Sequence, residues 1–454
     1  MNNILDKENP KMAKTANAKA QAPFPSKLQV EVTTRCNMSC SMCVKYAPGN
    51  DISEADLDLE TFKKLKPALE HCEGLVLNGI GEPLLHPQLA EIVAYARKNM
   101  PQQSWIGFQT NALLLTEKLA NSLVLAGADT FCISVDSLES RDGQSGEIHG
   151  QSSVERLARS FALLKNAGKK YDRELNLGVE FVLMKDTVDQ LPGVVRWAAQ
   201  QGSAFMICSN VLAHSEAMQE QSLFNPNPPK TTALFEKWQN HALSLGLDIH
   251  DYYNFVWKFL KTPSGKQLTD MVKKMRLDAK KNDIWLHLRS LLEWDKKKHN
   301  PTMVAVDEIC AQAELQAAEL GIELRMPSMM ARDDLSCHFM EDGAAFVTSK
   351  GDVAPCQFLW HGYSCHLDGS EKLVKPQIFG NLAEADFSEI WRSTKYSGFR
   401  NEVLDYSFPY CSNCPIVPCD DITGRSYDFE TDCMGAQVPC GHCPWAMGAL
   451  QCLL

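Results

Sequence analysis

Over its first two hundred residues the chain alternates short apolar runs with amphipathic stretches, and this alternation limits the fold more than any other feature. The predicted strands are Leu28 to Val32, Gly74 to Leu77, Trp105 to Gln109, Thr130 to Val135, Asn176 to Leu183 and Ala204 to Ser209. Between them, His86 to Lys98 puts Leu89, Ile92, Val93 and Ala96 on one helical face, and Ser153 to Lys165 does the same with Val154, Leu157, Phe161 and Leu164. Strand and helix in regular succession predict a parallel sheet with helices outside it. In such sheets the reactive groups gather at the carboxyl ends of the strands.

The ends of these strands carry the polar motifs. Directly after the first comes Thr33-Thr34-Arg35-Cys36-Asn37-Met38-Ser39-Cys40-Ser41-Met42-Cys43, with three cysteines in CxxxCxxC spacing. A cubane usually takes four thiolates, so a loop that supplies only Cys36, Cys40 and Cys43 leaves one iron open to an exogenous chelate. The alternative is a chance cluster or half of a zinc site. After the second strand, Asn78-Gly79-Ile80-Gly81-Glu82-Pro83 places Gly79 and Gly81 where a ligand can approach the backbone, with Glu82 able to accept from an ammonium group; taken alone, it is an ordinary turn. Gln109-Thr110-Asn111 ends the third strand, with Asn111 at the rim or in a helix N-cap region. Ser134 and Asp136 share one face of the fourth strand and suit a ribose diol.

This set of motifs resembles the signature of the radical S-adenosylmethionine superfamily. The resemblance covers residues 28 to about 215 and implies that Cys36, Cys40 and Cys43 hold a 4Fe–4S cluster whose open iron binds S-adenosylmethionine (SAM). It further implies that Gly79, Gly81 and Glu82 meet the methionine amino group, that Asn111 offers a polar side chain at the same rim, and that Ser134 and Asp136 meet the ribose. Glu180 on the fifth strand is a candidate cofactor contact, or else a satisfied carboxylate on a strand face. The implied fold is α/β, a partial (β/α)6 TIM-like barrel.

Seventeen cysteines in a chain read as cytoplasmic point to free thiols or metal thiolates rather than disulfides. Cys72, Cys132, Cys208 and Cys310 stand in apolar or helical surroundings and read as core residues. The remainder crowd the C-terminal part: Cys337, a hairpin pattern of Phe346 to Thr348 and Asp352 to Ala354 around Lys350-Gly351, then Cys356, Gly380-Asn381, Trp391 and Cys411-Ser412-Asn413-Cys414. That order resembles the SPASM domain, a cysteine-rich extension that carries one or two auxiliary 4Fe–4S clusters. Beyond Cys419 the pattern departs from the common one, and the ending Cys433, Cys440-Gly441-His442-Cys443-Pro444-Trp445, Cys452 resembles the tungsten-cofactor oxidoreductase maturases of the SPASM branch. The expected auxiliary ligands are therefore Cys337, Cys356, Cys411, Cys414, Cys419, Cys433, Cys440, Cys443 and Cys452, with Cys365 the choice for a non-ligand. A zinc site from Cys411, Cys414, Cys440 and Cys443 is the competing reading, against which stands the long gap between the pairs.

The 454 residues divide into a tail (1–25), the barrel (26–215), a Lys-rich helical insertion (216–327) and the SPASM-like domain (328–454). In the insertion, Trp285, Leu288, Leu291 and Leu292 form one predicted apolar face. A formal charge of -11 argues against nucleic acid as a partner. No run approaches the roughly 18 apolar residues of a membrane span, so no membrane is expected and the location reads as cytoplasmic. The expected partners are a peptide or protein substrate, a tungsten oxidoreductase among the candidates, and a reducing donor such as ferredoxin or flavodoxin. Three functions remain open: a radical maturase of a protein or its metal cofactor, a maturase of a ribosomal peptide, and a non-catalytic iron–sulfur carrier. Glu82, Ser134 and Asp136 weigh against the carrier, which needs no nucleoside site.

Overall fold

The computed structural model describes residues 19, 21–138, 151–367, 370–405, 440 and 443–454. Six parallel strands lie side by side in chain order: β1 (Lys27–Val30), β2 (Gly74–Val76), β3 (Trp105–Thr110), β4 (Thr130–Ser134), β5 (Asn176–Leu183) and β6 (Phe205–Asn210). The crossovers include α1 (Leu89–Asn99), α2 (Glu117–Ala126), α3 (Gln151–Lys170) and α4 (Leu191–Gln200). Alternation along the strands sorts the side chains into two sets. Leu28, Val30, Leu75, Ile106, Phe108, Phe131, Ile133, Leu177, Val179, Phe181, Met206 and Cys208 join the helices in the main core. Val76, Cys132, Phe205 and Ile207 point the other way and form a separate inner layer with Leu453.

The sheet is wider than the six predicted strands. On one side, α5 (Pro301–Leu320) leads into β7 (Glu323–Arg325), parallel to β6. On the other, β8 (Ala344–Val347) pairs parallel to β1, β9 (Asp352–Ala354) pairs antiparallel to β8, and β12 (Gly380–Asn381) closes that edge. The β8–β9 hairpin turns at Gly351, whose φ of +81° is a conformation that favours glycine. A second hairpin, β10 (Tyr363–Leu367) with β11 (Ser370–Val374), stands apart from this sheet. The C-terminal part thus continues the barrel's own sheet through β1, which carries the cysteine loop at its end.

Between β6 and α5, a helical unit closes its own core from Leu234, Phe235, Leu268, Met271, Val272, Met275, Leu288, Leu291 and Leu292. Trp285, expected on this apolar face, precedes its helix (Leu288–Lys298) and is 39 % exposed; Leu286 is buried beside Leu288 instead. Cys72, Cys208 and Cys310 are buried in the main core, whereas Cys132 belongs to the inner layer. No described helix is long and apolar enough to cross a membrane.

Candidate functional site

The triad loop leaves β1 and is held from several sides. Thr34 donates through Oγ1 to the Ser53 carbonyl (2.8 Å) and accepts from the Ala55 amide (2.7 Å), while Arg35 makes a two-pronged pair with Asp56 at 2.9 and 2.7 Å. From β6's far end, His214 donates through Nε2 to the Ser41 carbonyl at 2.9 Å. The Cys43 amide donates to the Cys40 carbonyl, and a single 3-10 turn, Val44–Tyr46, follows. Burial first, and then the nearby thiols of Cys36, Cys43 and Cys40, push the Tyr46 hydroxyl upward.

Burial pushes the thiols of Cys36 and Cys43 upward, and N–H groups of Met38 and Asn37 on Cys36, and of Lys45 on Cys43, oppose this. Thiolates in such a place need cationic metal to stay ionised, and N–H donors aimed at sulfur are how proteins tune iron–sulfur ligands. Glu82 adds to the upward push on Cys36 and Asp136 to that on Cys43, so both carboxylates lie within electrostatic reach of the triad.

Gly79 and Gly81 bring their turn against the root of the loop. A Cβ on Gly79 would lie 2.4 Å from the Glu31 side chain, and one on Gly81 would lie 2.4 and 2.5 Å from the Thr33 and Arg35 carbonyls. The Glu82 amide donates to the Arg35 carbonyl at 2.8 Å. Glu82 itself is 3 % exposed and accepts from Thr110 Oγ1 (2.6 Å), the Leu84 amide (3.0 Å) and the Asn111 amide (2.8 Å). Burial raises its pKa and these three bonds pull the other way. Asn111 donates through Nδ2 to Asn37 Oδ1 at 2.9 Å, tying the third strand end to the triad loop. Ser134 is in register with Glu180. Glu180 lies beside Asp136, which raises its pKa further after burial has raised it most; a hydrogen bond from Gln109 opposes both, and the carboxyl ends at about 7.

Two residues of this neighbourhood, Glu31 and His361, escaped the sequence reading. Glu31, fully buried, accepts from the Ile80 amide (3.1 Å), the Ser349 amide (3.1 Å), Ser349 Oγ (3.0 Å) and His361 Nε2, 3.1 Å from both oxygens. It locks the glycine turn to the C-terminal part. The available signal was a lone acid inside an apolar strand run; its partners Ser349 and His361 lie some three hundred positions away and could not be read.

In the C-terminal part four thiols meet. Cys337, Cys356, Cys440 and Cys443 all interact electrostatically with one another. Burial, then this mutual influence, drives Cys337 to about 12 and pushes Cys440 and Cys443 well up; burial takes Cys356 to about 11. N–H groups of Met340 and Phe339 point to the sulfur of Cys337, of Phe358 and Leu359 to that of Cys356, and of Ala446 and Trp445 to that of Cys443. Such an arrangement fits a four-thiolate cluster walled by Phe346, Phe358, Trp360 and Met340. Of these four thiols Cys452 acts on Cys356; it also feels Glu180 and takes a bond from Gln357. Cys365 is buried in β10 opposite Lys372. Cys411, Cys414, Cys419 and Cys433 lie outside the described residues. No three described His, Cys, Asp or Glu residues are grouped for a single metal ion. A cubane spreads its thiolates over separate irons and does not need such a group. A cavity of about 1100 Å³ opens at the opposite, amino end of the strands, lined by Lys27, Trp105, Phe205 and Arg325, with Val76, Cys132 and Ile207 between it and the triad side.

The sequence matches the Radical SAM superfamily over residues 30–198 and SPASM, an iron–sulfur cluster-binding domain, over residues 337–415. It is 24% identical over 430 residues to the tungsten-containing aldehyde ferredoxin oxidoreductase cofactor-modifying protein of Pyrococcus furiosus, covering 94% of this chain and 96% of that one. A GTP 3',8-cyclase of Clostridium acetobutylicum is 35% identical over 118 residues, 25% of this chain and 35% of the other. Among solved structures, Streptococcus suis SuiB bound to S-adenosylmethionine aligns at 13% identity with a TM-score of 0.46, covering 91% of this chain and 76% of that one; native anSMEcpe with bound AdoMet aligns at 14% and 0.45, covering 86% of each. The chain belongs to the radical SAM superfamily and is a radical SAM enzyme with a C-terminal SPASM domain, using a SAM-binding 4Fe–4S cluster and auxiliary iron–sulfur chemistry.

Proposed function

We propose that the protein is a radical SAM maturase acting on a protein or its metal cofactor, of the tungsten-oxidoreductase type. The observation that carries this reading is the end-to-end similarity to the Pyrococcus cofactor-modifying protein, which spans barrel, insertion and cysteine-rich tail alike. Cys36, Cys40 and Cys43 would hold the SAM-binding cluster, and Cys337, Cys356, Cys440 and Cys443 an auxiliary one. With SAM bound and one electron from a low-potential donor, the SAM-binding cluster would supply reductive cleavage of SAM to methionine, and with it the means of hydrogen abstraction from a substrate.

The chain's own residues do the positioning. Glu82 keeps one acceptor position for the methionine ammonium while its other bonds fix the carboxylate plane. Asn111 and Asn37 hold the triad loop against that carboxylate. Ser134 and Asp136 present a hydroxyl and a carboxylate to the ribose. Glu31, by joining the glycine turn to Ser349 and His361, keeps the C-terminal part seated over the strand ends and water out of the site. Peptide or protein is the substrate class, and a low-potential carrier such as ferredoxin or flavodoxin is the electron source.

Anaerobic reconstitution with iron and sulfide, reduction by dithionite and chromatography of the products test the reading. Release of 5'-deoxyadenosine and methionine by the native chain, and none by Cys36→Ala, is the expected result. A second arm adds a tungsten oxidoreductase isolated without this protein and reads a mass change in it or its cofactor. No such change, with SAM cleavage intact, would remove the substrate assignment and leave the reaction class standing.

A further inference from the structure

We propose that an array of hydrogen-bond acceptors on the inner face of the sheet, beneath the strand-end site, receives the N–H-bearing edge of the substrate, an amide, amidine or amino-heterocycle, and refuses an anionic group. The inference rests on the strand-end site proposed above being the reaction site.

The array crosses the inner faces of four strand segments. Gln109 on β3 bonds to the Glu180 carboxylate on β5, lowering that group's pKa, so Gln109 is the donor. Its Oε1 therefore accepts, and Asn78 Nδ2 donates to it at 3.2 Å. The Asn78 backbone carbonyl accepts from Gln29 Nε2 at 3.3 Å. Each amide is fixed in orientation by this chain. Turning Gln109 would set carbonyl oxygen against carboxylate, turning Asn78 would set Oδ1 against Gln109 Oε1, and turning Gln29 would set Oε1 against a backbone carbonyl.

Two acceptors are left over. Asn78 Oδ1 and Gln29 Oε1 are buried without a hydrogen-bond partner, in residues 8 % and 2 % exposed. Buried polar atoms are nearly always satisfied, and acceptors on neighbouring strands together with a carboxylate call for a ligand that donates. Asp136 beside Glu180 adds negative charge to the same wall, so a phosphate or carboxylate would be repelled. None of Gln29, Asn78 and Gln109 is needed to hold a cluster or SAM in the mechanism above, which leaves them for the substrate.

Three nearly isosteric probes separate the possibilities: benzamidine, which only donates, benzamide, which does both, and benzoate, which only accepts. Calorimetry on the full, anaerobically reconstituted chain with SAM present needs neither reduction nor turnover, so its outcome is independent of the SAM-cleavage test. Benzamidine is expected to bind with a Kd on the order of 1 mM, the range open to so small a ligand, and benzoate more weakly than benzamide. At pH 8, above the Glu180 pKa of about 7, Glu180→Gln should weaken benzamidine about tenfold, because a charged acceptor becomes neutral. Gln29→Leu, which removes one acceptor at nearly constant volume, should weaken it roughly threefold and serves alone should Glu180→Gln fail to bind SAM. Benzoate binding as well as benzamidine, or benzamidine indifferent to the variants that still bind SAM, overturns the proposal.

Discussion

Gly81→Ala offers a sharp test of how the glycine turn works. The new Cβ would sit 2.4 Å from the Thr33 carbonyl oxygen, 2.5 Å from that of Arg35 and 2.8 Å from the Thr34 carbonyl carbon. Ordinary contact begins near 3.4 Å, so turn and loop must separate by 3.4 − 2.4 = 1.0 Å. All three obstacles are backbone, and the loop cannot retreat freely because Arg35 is pinned to Asp56 and Thr34 to residues 53 and 55. The separation breaks the Glu82 to Arg35 backbone bond of 2.8 Å, which contributes about 1 kcal/mol net. Overpacking of this kind costs about 1–3 kcal/mol in total stability. Function should suffer more, since a misplacement of about 1 Å at a reaction site costs roughly a hundredfold in rate. The assay is anaerobic 5'-deoxyadenosine formation beside SAM titration and iron analysis, with iron content expected to hold. Gly398→Ala is the internal control: its Cβ meets nothing within 4 Å in a helix, so stability should rise by about 0.5–1 kcal/mol with activity unchanged. A Gly81→Ala enzyme within threefold of the native rate would refute the argument that this glycine exists for close approach.

Further outcomes follow from the rest of the site. Cys440→Ala should lose a cubane's worth of iron, about four atoms per chain, whereas Cys365→Ser should lose none; equal losses would undo the four-thiol grouping. Glu31→Ala leaves Ser349, His361 and the Ile80 amide facing an apolar void and should destabilise by about 3 kcal/mol or more in a melt, with SAM affinity falling alongside. Glu180 has a folded pKa raised to about 7, above its unfolded value, so the folded state binds the extra proton and stability falls as pH rises from about 4.5 to 7. The full shift corresponds to roughly 3 kcal/mol, trimmed because Glu180 is only partly buried. In denaturation curves Glu180→Gln should flatten that slope and be the more stable chain at pH 8; a native chain whose stability climbs across this range relative to the variant contradicts the assignment.

Local order was legible because it is set locally. The six strands fall within a residue or two of their predicted bounds, since β-branched runs between turn residues state their own extent. The triad loop, the glycine turn, Glu82, Ser134 and Asp136 were all visible as motifs, because each sits within a few residues of a strand end. Trp285 misled because helical periodicity was carried past the true start of its helix at Leu288. The β8–β9 hairpin was readable from its Lys350-Gly351 turn, but its attachment to β1 was not, for that pairing joins residues 27–30 to 344–347.

The chain by itself determined a parallel α/β barrel with a three-cysteine loop at one strand end and a cysteine-rich extension. Short-range chemistry suffices for that: period-two alternation, helical faces and thiolates spaced for iron. Tertiary structure alone decided which distant groups share a space. It drew Cys337, Cys356, Cys440 and Cys443 together from across more than a hundred positions, seated the C-terminal part on β1 through Glu31 and His361, and joined Gln29, Asn78, Gln109 and Glu180 on the inner face of the sheet. Register across a sheet and burial on its inner face arise from non-local packing, and no window of sequence contains them.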